Sequence, residues 1–169
     1  MTTDPFAPPD APRFSAATLA EYQDVLRRYP TRRAALMPTL WLAQREFGWL
    51  SLPVMEYVAE LMELPLAWVT SVASFYTMYW KRPPGRWHIQ VCRNLSCALR
   101  GAGDIQRALE ARLGIRDGER TGDGRFSFEE VECLASCGTA PVIQVNNADY
   151  HENLDVPGAL ALVERLARE

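Results

Sequence analysis

The chain carries four cysteines in two pairs, Cys92 with Cys97 and Cys133 with Cys137. Four residues separate the first pair, three the second, and thirty-five lie between the pairs. Three chemistries suit such a set. A structural zinc takes cysteine pairs with about two to four residues between them, so spacing alone does not remove zinc. An iron–sulfur centre of the two-iron type takes four thiolates and tolerates wide spacing. Soft ligands suit both. A redox dithiol of the thioredoxin kind needs a C-x-x-C spacer, which neither pair has. Inert thiols are the remaining reading.

The neighbours of the cysteines bear on the choice. Ser96, Gly138 and Thr139 stand beside them, and their hydroxyls and backbone N–H groups are expected to donate to sulfur and stabilise a negative centre. Glu129, Glu130 and Glu132 precede the second pair; they either lower its reduction potential or line a solvated strand edge. Of the two histidines, His88 is read as an ordinary strand residue, because four thiolates leave no iron for it.

These side chains need elements to position them. Trp87, Ile89 and Val91 alternate with His88 and Gln90, which predicts a strand ending at Cys92. Residues 97–113 read as one helix, with Leu99, Ala102, Ile105, Leu109 and Leu113 on one face. Gly114 and Gly118 to Gly124 form a polar loop. Phe126 and Phe128 alternate, Val142–Val145 is a short apolar run, and Tyr150 to Leu154 is expected to pair with it across Asn146-Asn147. A helix on Val156, Leu160, Val163 and Leu166 closes the chain. Pro141 precedes a strand, and a trans bond is the ordinary expectation there.

Before the break at Pro83-Pro84-Gly85 the periodicity is helical four times. Thr18 with Glu21 suggests a capping box for a helix bearing Leu19, Tyr22, Val25, Leu26 and Tyr29. Thr31 is a cap for the second, which carries Leu36, Leu40, Ala43 and Phe47 and stops at Gly48. Ser51 caps a third, with Val54, Val58, Leu61 and Leu64. Pro65 opens a fourth that runs to about Tyr79, apolar on nearly every side and therefore expected to be buried, in its own core or under a partner. Trp41, Trp49, Trp68, Trp80 and Trp87 are expected in the core, a partner surface being the rival. The fold class is α+β: a mobile arm over 1–13, a four-helix bundle over 14–82, and a small mixed sheet with helices over 83–169.

The chain has 169 residues, 48% of them hydrophobic and 23% charged, which suits a globular protein. Its net charge is −3, with Lys81 the only lysine, and neither half has the basic excess of a nucleic-acid binder. No export signal and no membrane span are read, which places the cysteines in a reducing compartment, where clustered thiols are metal ligands more often than disulfides.

Longer stretches carry a family resemblance. They are Tyr29-Pro30 with Arg33-Ala34-Ala35-Leu36-Met37-Pro38, Leu42 to Leu50, Val72 to Tyr79, Ile89-Gln90-Val91-Cys92, and Val131 to Val142 around Cys133 and Cys137. Together they resemble the thioredoxin-like [2Fe-2S] subunit of NADH:quinone oxidoreductase, respiratory complex I, over about residues 18–168. The resemblance implies a thioredoxin-like domain after the helices and one [2Fe-2S] cluster on Cys92, Cys97, Cys133 and Cys137, the first two on one iron and the last two on the other. It implies a non-catalytic electron-transfer subunit. Its partners would be an NADH-binding flavoprotein that holds FMN and other peripheral-arm subunits, in a membrane-associated complex facing the cytoplasm. Gly101 and Gly103 do not make a dinucleotide fingerprint, in keeping with FMN and NADH belonging to the partner. Some family members run well past the last helix, where this chain stops. The equivalent subunit of an NAD-linked hydrogenase or formate dehydrogenase is therefore the alternative. A zinc-stapled binding module is the alternative of another class.

Overall fold

The computed structural model describes residues 11–169, which divide into two compact units, one ending at Pro83 and the other running Pro84–Glu169. Of the expected arm, residues 1–10 lie outside the described residues; Pro12 is buried and the Arg13 guanidinium lies over the Tyr57 ring.

Four helices build the first unit: α1 (Ala16–Arg28), α2 (Leu36–Phe47), α3 (Leu52–Met62) and α4 (Leu66–Phe75). They share a core in which Leu40, Leu50, Val54, Val58, Met62 and Val69 are sealed from solvent. The first two caps differ from expectation. Ser15 caps α1, accepting the Thr18 N–H, while Thr18 is buried and donates to the Glu46 carboxylate. Glu21 pairs with Arg45 instead of closing a capping box. Thr31 caps a separate turn through the Ala34 N–H, so α2 starts without a side-chain cap. Ser51 caps α3 as expected, accepting the Val54 N–H.

The fourth helix departs most. It stops at Phe75, and only Val69 and Ala73 are buried. Phe75 is 79% exposed, and Trp68 and Tyr76 are exposed too. Tyr79 lies beyond the helix, fully buried, with its phenol donating to the Met37 carbonyl. None of the five tryptophans is fully buried, and Trp41 joins Trp68 on the surface, so the expectation of tryptophans as core does not hold. Arg33 sits over the Trp68 ring at 3.8 Å and covers part of it.

The second unit is a four-stranded mixed sheet with helices. Its elements are β1 (Trp87–Cys92), α5 (Leu95–Leu99), α6 (Ala102–Leu113), β2 (Phe126–Val131), a 3-10 turn (Cys137–Thr139), β3 (Ile143–Val145), β4 (Asp149–His151) and α7 (Val156–Leu166). The strand order is β2-β1-β3-β4, with β1 parallel to β2 and the other pairs antiparallel. The β3–β4 hairpin turns at Asn146 and Asn147, both at positive φ, a conformation asparagine tolerates well. The expected single helix over 97–113 is broken at Gly101, whose φ of 95° ends α5 and opens α6. Leu99 is consequently 78% exposed and leaves the predicted apolar face.

As the central strand, β1 is buried on both sides. One side carries Ile89 and Val91 into a core with Ile105, Leu109, Phe128 and Val163. The other buries polar groups, and each has a partner, as burial requires. His88 Nδ1 lies 2.7 Å from the Ser127 hydroxyl and Nε2 lies 3.1 Å from the Glu129 carboxylate. Gln90 accepts the Asn147 N–H. No helix among the described residues is long and apolar enough to cross a membrane.

Candidate metal centre

Topology gathers the cysteines at one end of the sheet. β1 and β2 are parallel and in register, so both finish at the same end, Cys92 opposite Val131. Cys92 is the last residue of β1, and Cys133 follows two residues after β2. β3 runs the other way and starts at this end, which puts the Cys137 turn just before it. The carboxyl ends of parallel strands are where open α/β sheets place their sites, since the chain leaves the sheet there in loops. Cys97 comes in on α5, whose start is capped by Asn94.

The two pairs differ in environment. Cys92 and Cys97 are buried, at 3% and 2% exposure, whereas Cys133 and Cys137 are exposed. All four are free thiols. Burial, then a hydrogen bond with Cys92, pushes the Cys97 thiol up to about 11, with the nearby Cys92 and Cys137 sulfurs acting in the same direction. Metal binding must therefore displace a proton there, since the thiolate is the ligand. One backbone group donates to sulfur, the Ala135 N–H to Cys133 at 3.3 Å. Ala135 holds a φ of 59°.

Among the described residues, no three metal-binding side chains converge as a single-ion cage. No imidazole completes the set. His88 is held by Ser127 and Glu129, and His151 is kept below its usual range by burial and then by Arg165.

Of the hydroxyls expected to serve sulfur, that of Thr139 donates to the Glu152 carboxylate instead, and Ser136 nearby does the same. The donor to sulfur that the structure does supply is a backbone group, the Ala135 N–H. Each carboxylate of the acidic trio has a partner of its own: Glu129 meets His88, Glu130 accepts from Gln106, and Glu132 pairs with Arg93. The Ala140–Pro141 bond is cis, against the trans expectation. Several supporting groups carried no sequence signal. Ala135 is not a residue that favours positive φ, and Glu152 lies thirteen residues from the Thr139 it binds.

Residues 22–167 match the family model of the thioredoxin-like [2Fe-2S] ferredoxins. The chain is 47% identical over 144 residues to a subunit of the NADH-quinone oxidoreductase of Rhizobium meliloti (strain 1021), covering 85% of each chain. It is 42% identical over 159 residues to the corresponding NADH-quinone oxidoreductase subunit of Rickettsia bellii (strain RML369-C), covering 92% of this chain and 95% of that one. Among solved structures it resembles a chain of an NAD+-reducing [NiFe]-hydrogenase in the H2-reduced state, with a TM-score of 0.65 and 23% identity, over 77% of this chain and 22% of that one. That likeness concerns the fold. Taken with the four free thiols at one end of a mixed sheet, the match over most of the length establishes that the chain belongs to the thioredoxin-like [2Fe-2S] ferredoxin family.

Proposed function

We propose that this chain is the electron-transfer subunit of an NADH-quinone oxidoreductase, holding one [2Fe-2S] cluster on Cys92, Cys97, Cys133 and Cys137. The carrying observation is that the sheet ends of β1, β2 and β3 bring this all-thiol set to one edge of a family member's fold. When bound, the cluster supplies a one-electron carrier whose potential depends on charge, hydrogen bonds to sulfur and exposure.

The chain's own residues set those conditions. Cys92 and Cys97 anchor the buried side, and the N–H of Ala135 supplies a donor to sulfur without a charged side chain. Cys133 and Cys137 stand at the surface, and Leu95 and Leu99, on the helix that carries Cys97, are exposed as well. An apolar rim beside exposed ligands suits a protein partner, since large apolar side chains on a monomer's surface mark interfaces when they cluster. The partner we infer is the NADH-binding flavoprotein, with its FMN as the group that exchanges single electrons with this chain. In the helical unit, Phe75, Trp68 and Tyr76 on and beside α4 give a second apolar face for the same assembly. The complex is membrane-associated and this subunit faces the cytoplasm. Relatives at 42% and 47% identity favour the quinone oxidoreductase over the hydrogenase as host.

The test uses the whole chain with its cluster reconstituted. NADH alone is expected to leave the visible bands unchanged. NADH together with the flavoprotein is expected to bleach them. Bleaching by NADH without the flavoprotein would overturn the division of labour.

A further inference from the structure

The segment that carries Cys133 and Cys137 has one three-residue turn as its only regular structure, and both cysteines are exposed. Its flanks pack on the cluster around Cys92 and Cys97, through Leu134 on one side and Ala140 on the other. The Cys137 turn between them is held by a set of hydrogen bonds that converge on residues 152–154, just after β4. Ser136 and Thr139 are the two residues that bracket the Cys137 turn. Both hydroxyls donate to the same oxygen of Glu152, Oε1, that of Thr139 at 2.6 Å. The two hydroxyl oxygens lie 2.7 Å apart, so the carboxylate closes a small ring across the turn. A carboxylate is the strongest acceptor on offer to the two hydroxyl hydrogens, because bonds to a charged acceptor are roughly twice as strong as neutral ones. The backbone runs the same way. The Asn153 N–H donates to the Thr139 carbonyl at 2.7 Å and the Leu154 N–H to the Pro141 carbonyl at 3.1 Å. Asn153 takes a φ of 51° to make this approach, which asparagine adopts more readily than most residues.

The clamped segment also reaches the first cysteine pair. Arg100, which follows α5, donates through Nε to the Ala140 carbonyl at 2.7 Å. The Val142 carbonyl accepts the Cys92 N–H at 3.2 Å, and Val142 packs with Cys97 in one buried cluster.

We propose that Glu152 is a positioning residue of the metal centre, fixing the Cys137 sulfur by clamping both ends of its turn through Ser136 and Thr139. This rests on Cys137 being a ligand. The two hydroxyl donors hold the Glu152 carboxyl below its usual range, in keeping with an ionised acceptor at neutral pH. The role is exerted through hydrogen bonds, so a glutamine, whose carbonyl oxygen accepts the same two hydroxyls, keeps it; an alanine does not.

The experiment compares the reconstituted whole chain with Glu152→Ala and Glu152→Gln. Three quantities are read: the rate of iron loss to a chelator, the electron paramagnetic resonance spectrum of the reduced protein, and the far-ultraviolet circular dichroism. Glu152→Ala is expected to lose iron about fivefold faster, the effect of one or two lost hydrogen bonds. Its spectrum is expected to shift or broaden while its circular dichroism stays unchanged. Glu152→Gln is expected to lie nearer the parent than the alanine does, since its neutral carbonyl keeps both bonds in weaker form. Parent-like iron loss and spectrum in Glu152→Ala would overturn the proposal. So would a Glu152→Gln variant as impaired as the alanine, since charge would then be the agent and not the clamp. A parallel Cys137→Ala variant separates the two levels: an unchanged spectrum there rejects the ligand set itself, whatever Glu152 does.

Discussion

Replacing Cys97 with alanine is expected to strip the cluster and leave the fold standing. Structural zinc sites in small peptides, a reference for metals held by protein ligands, are worth roughly 10–16 kcal/mol in all. On that scale one ligand of four carries about 2.5–4 kcal/mol, about two to three orders of magnitude in retention. The structural cost is small by comparison. Cys97 is 2% exposed and packs with Cys92, Ala102, Ala140 and Val142, and an alanine removes only one sulfur from that cluster. The thermal transition of the cluster-free protein should therefore move little, while iron and labile sulfide fall to near background. The check is iron analysis with electron paramagnetic resonance, set beside a thermal melt. A variant that keeps its iron and its spectrum would remove Cys97 from the ligand set.

The second large effect is structural. Gly85 passes so close to β2 that a Cβ would stand 2.3 Å from the Phe126 carbonyl carbon and 2.5 Å from the Ser127 nitrogen. Both are backbone atoms of a strand paired along its length with β1, so neither can give way cheaply. Gly85 also donates its N–H to the Ser127 hydroxyl at 2.8 Å, the same hydroxyl that meets His88. Gly85→Ala must move the chain away from β2 and disturb that buried polar group. A destabilisation of about 3 kcal/mol follows, at the upper end of overpacking costs. For a unit of this size that lowers the midpoint by more than about 10 °C. Thermal denaturation of the cluster-free chain checks it, and a midpoint within about 2 °C of the parent would contradict it.

Legibility in the sequence followed the physics of each element. Ser51 was readable as the α3 cap because its hydroxyl needs only a local N–H. Thr18 misled for the same reason reversed. Its local pattern fits a capping box, but a distant acceptor, Glu46, takes its hydroxyl. α4 misled because composition does not say which apolar residues find partners. Leu66, Val69, Val72 and Ala73 join the core, and Phe75 stays on the surface against the Tyr76 ring. Gly101 was visible as a residue, but its left-handed backbone, which splits α5 from α6, was not. At the candidate centre the side chains with the right chemistry stood out by type and spacing. What serves them is backbone: the Ala135 N–H donates to the Cys133 sulfur whatever side chain that residue carries. Backbone donors are set by fold, so side-chain identity could not announce them.

A chain with the proposed function holds a two-iron centre and carries one electron at a time. Reductive titration of the reconstituted whole chain with dithionite, with iron and acid-labile sulfide determined on the same sample, reads both properties at once. The expected result is about two irons and two sulfides per chain, visible bands that bleach with uptake of about one electron, and a resonance signal in the reduced form only. A colourless protein with about one zinc per chain and no electron uptake would contradict it.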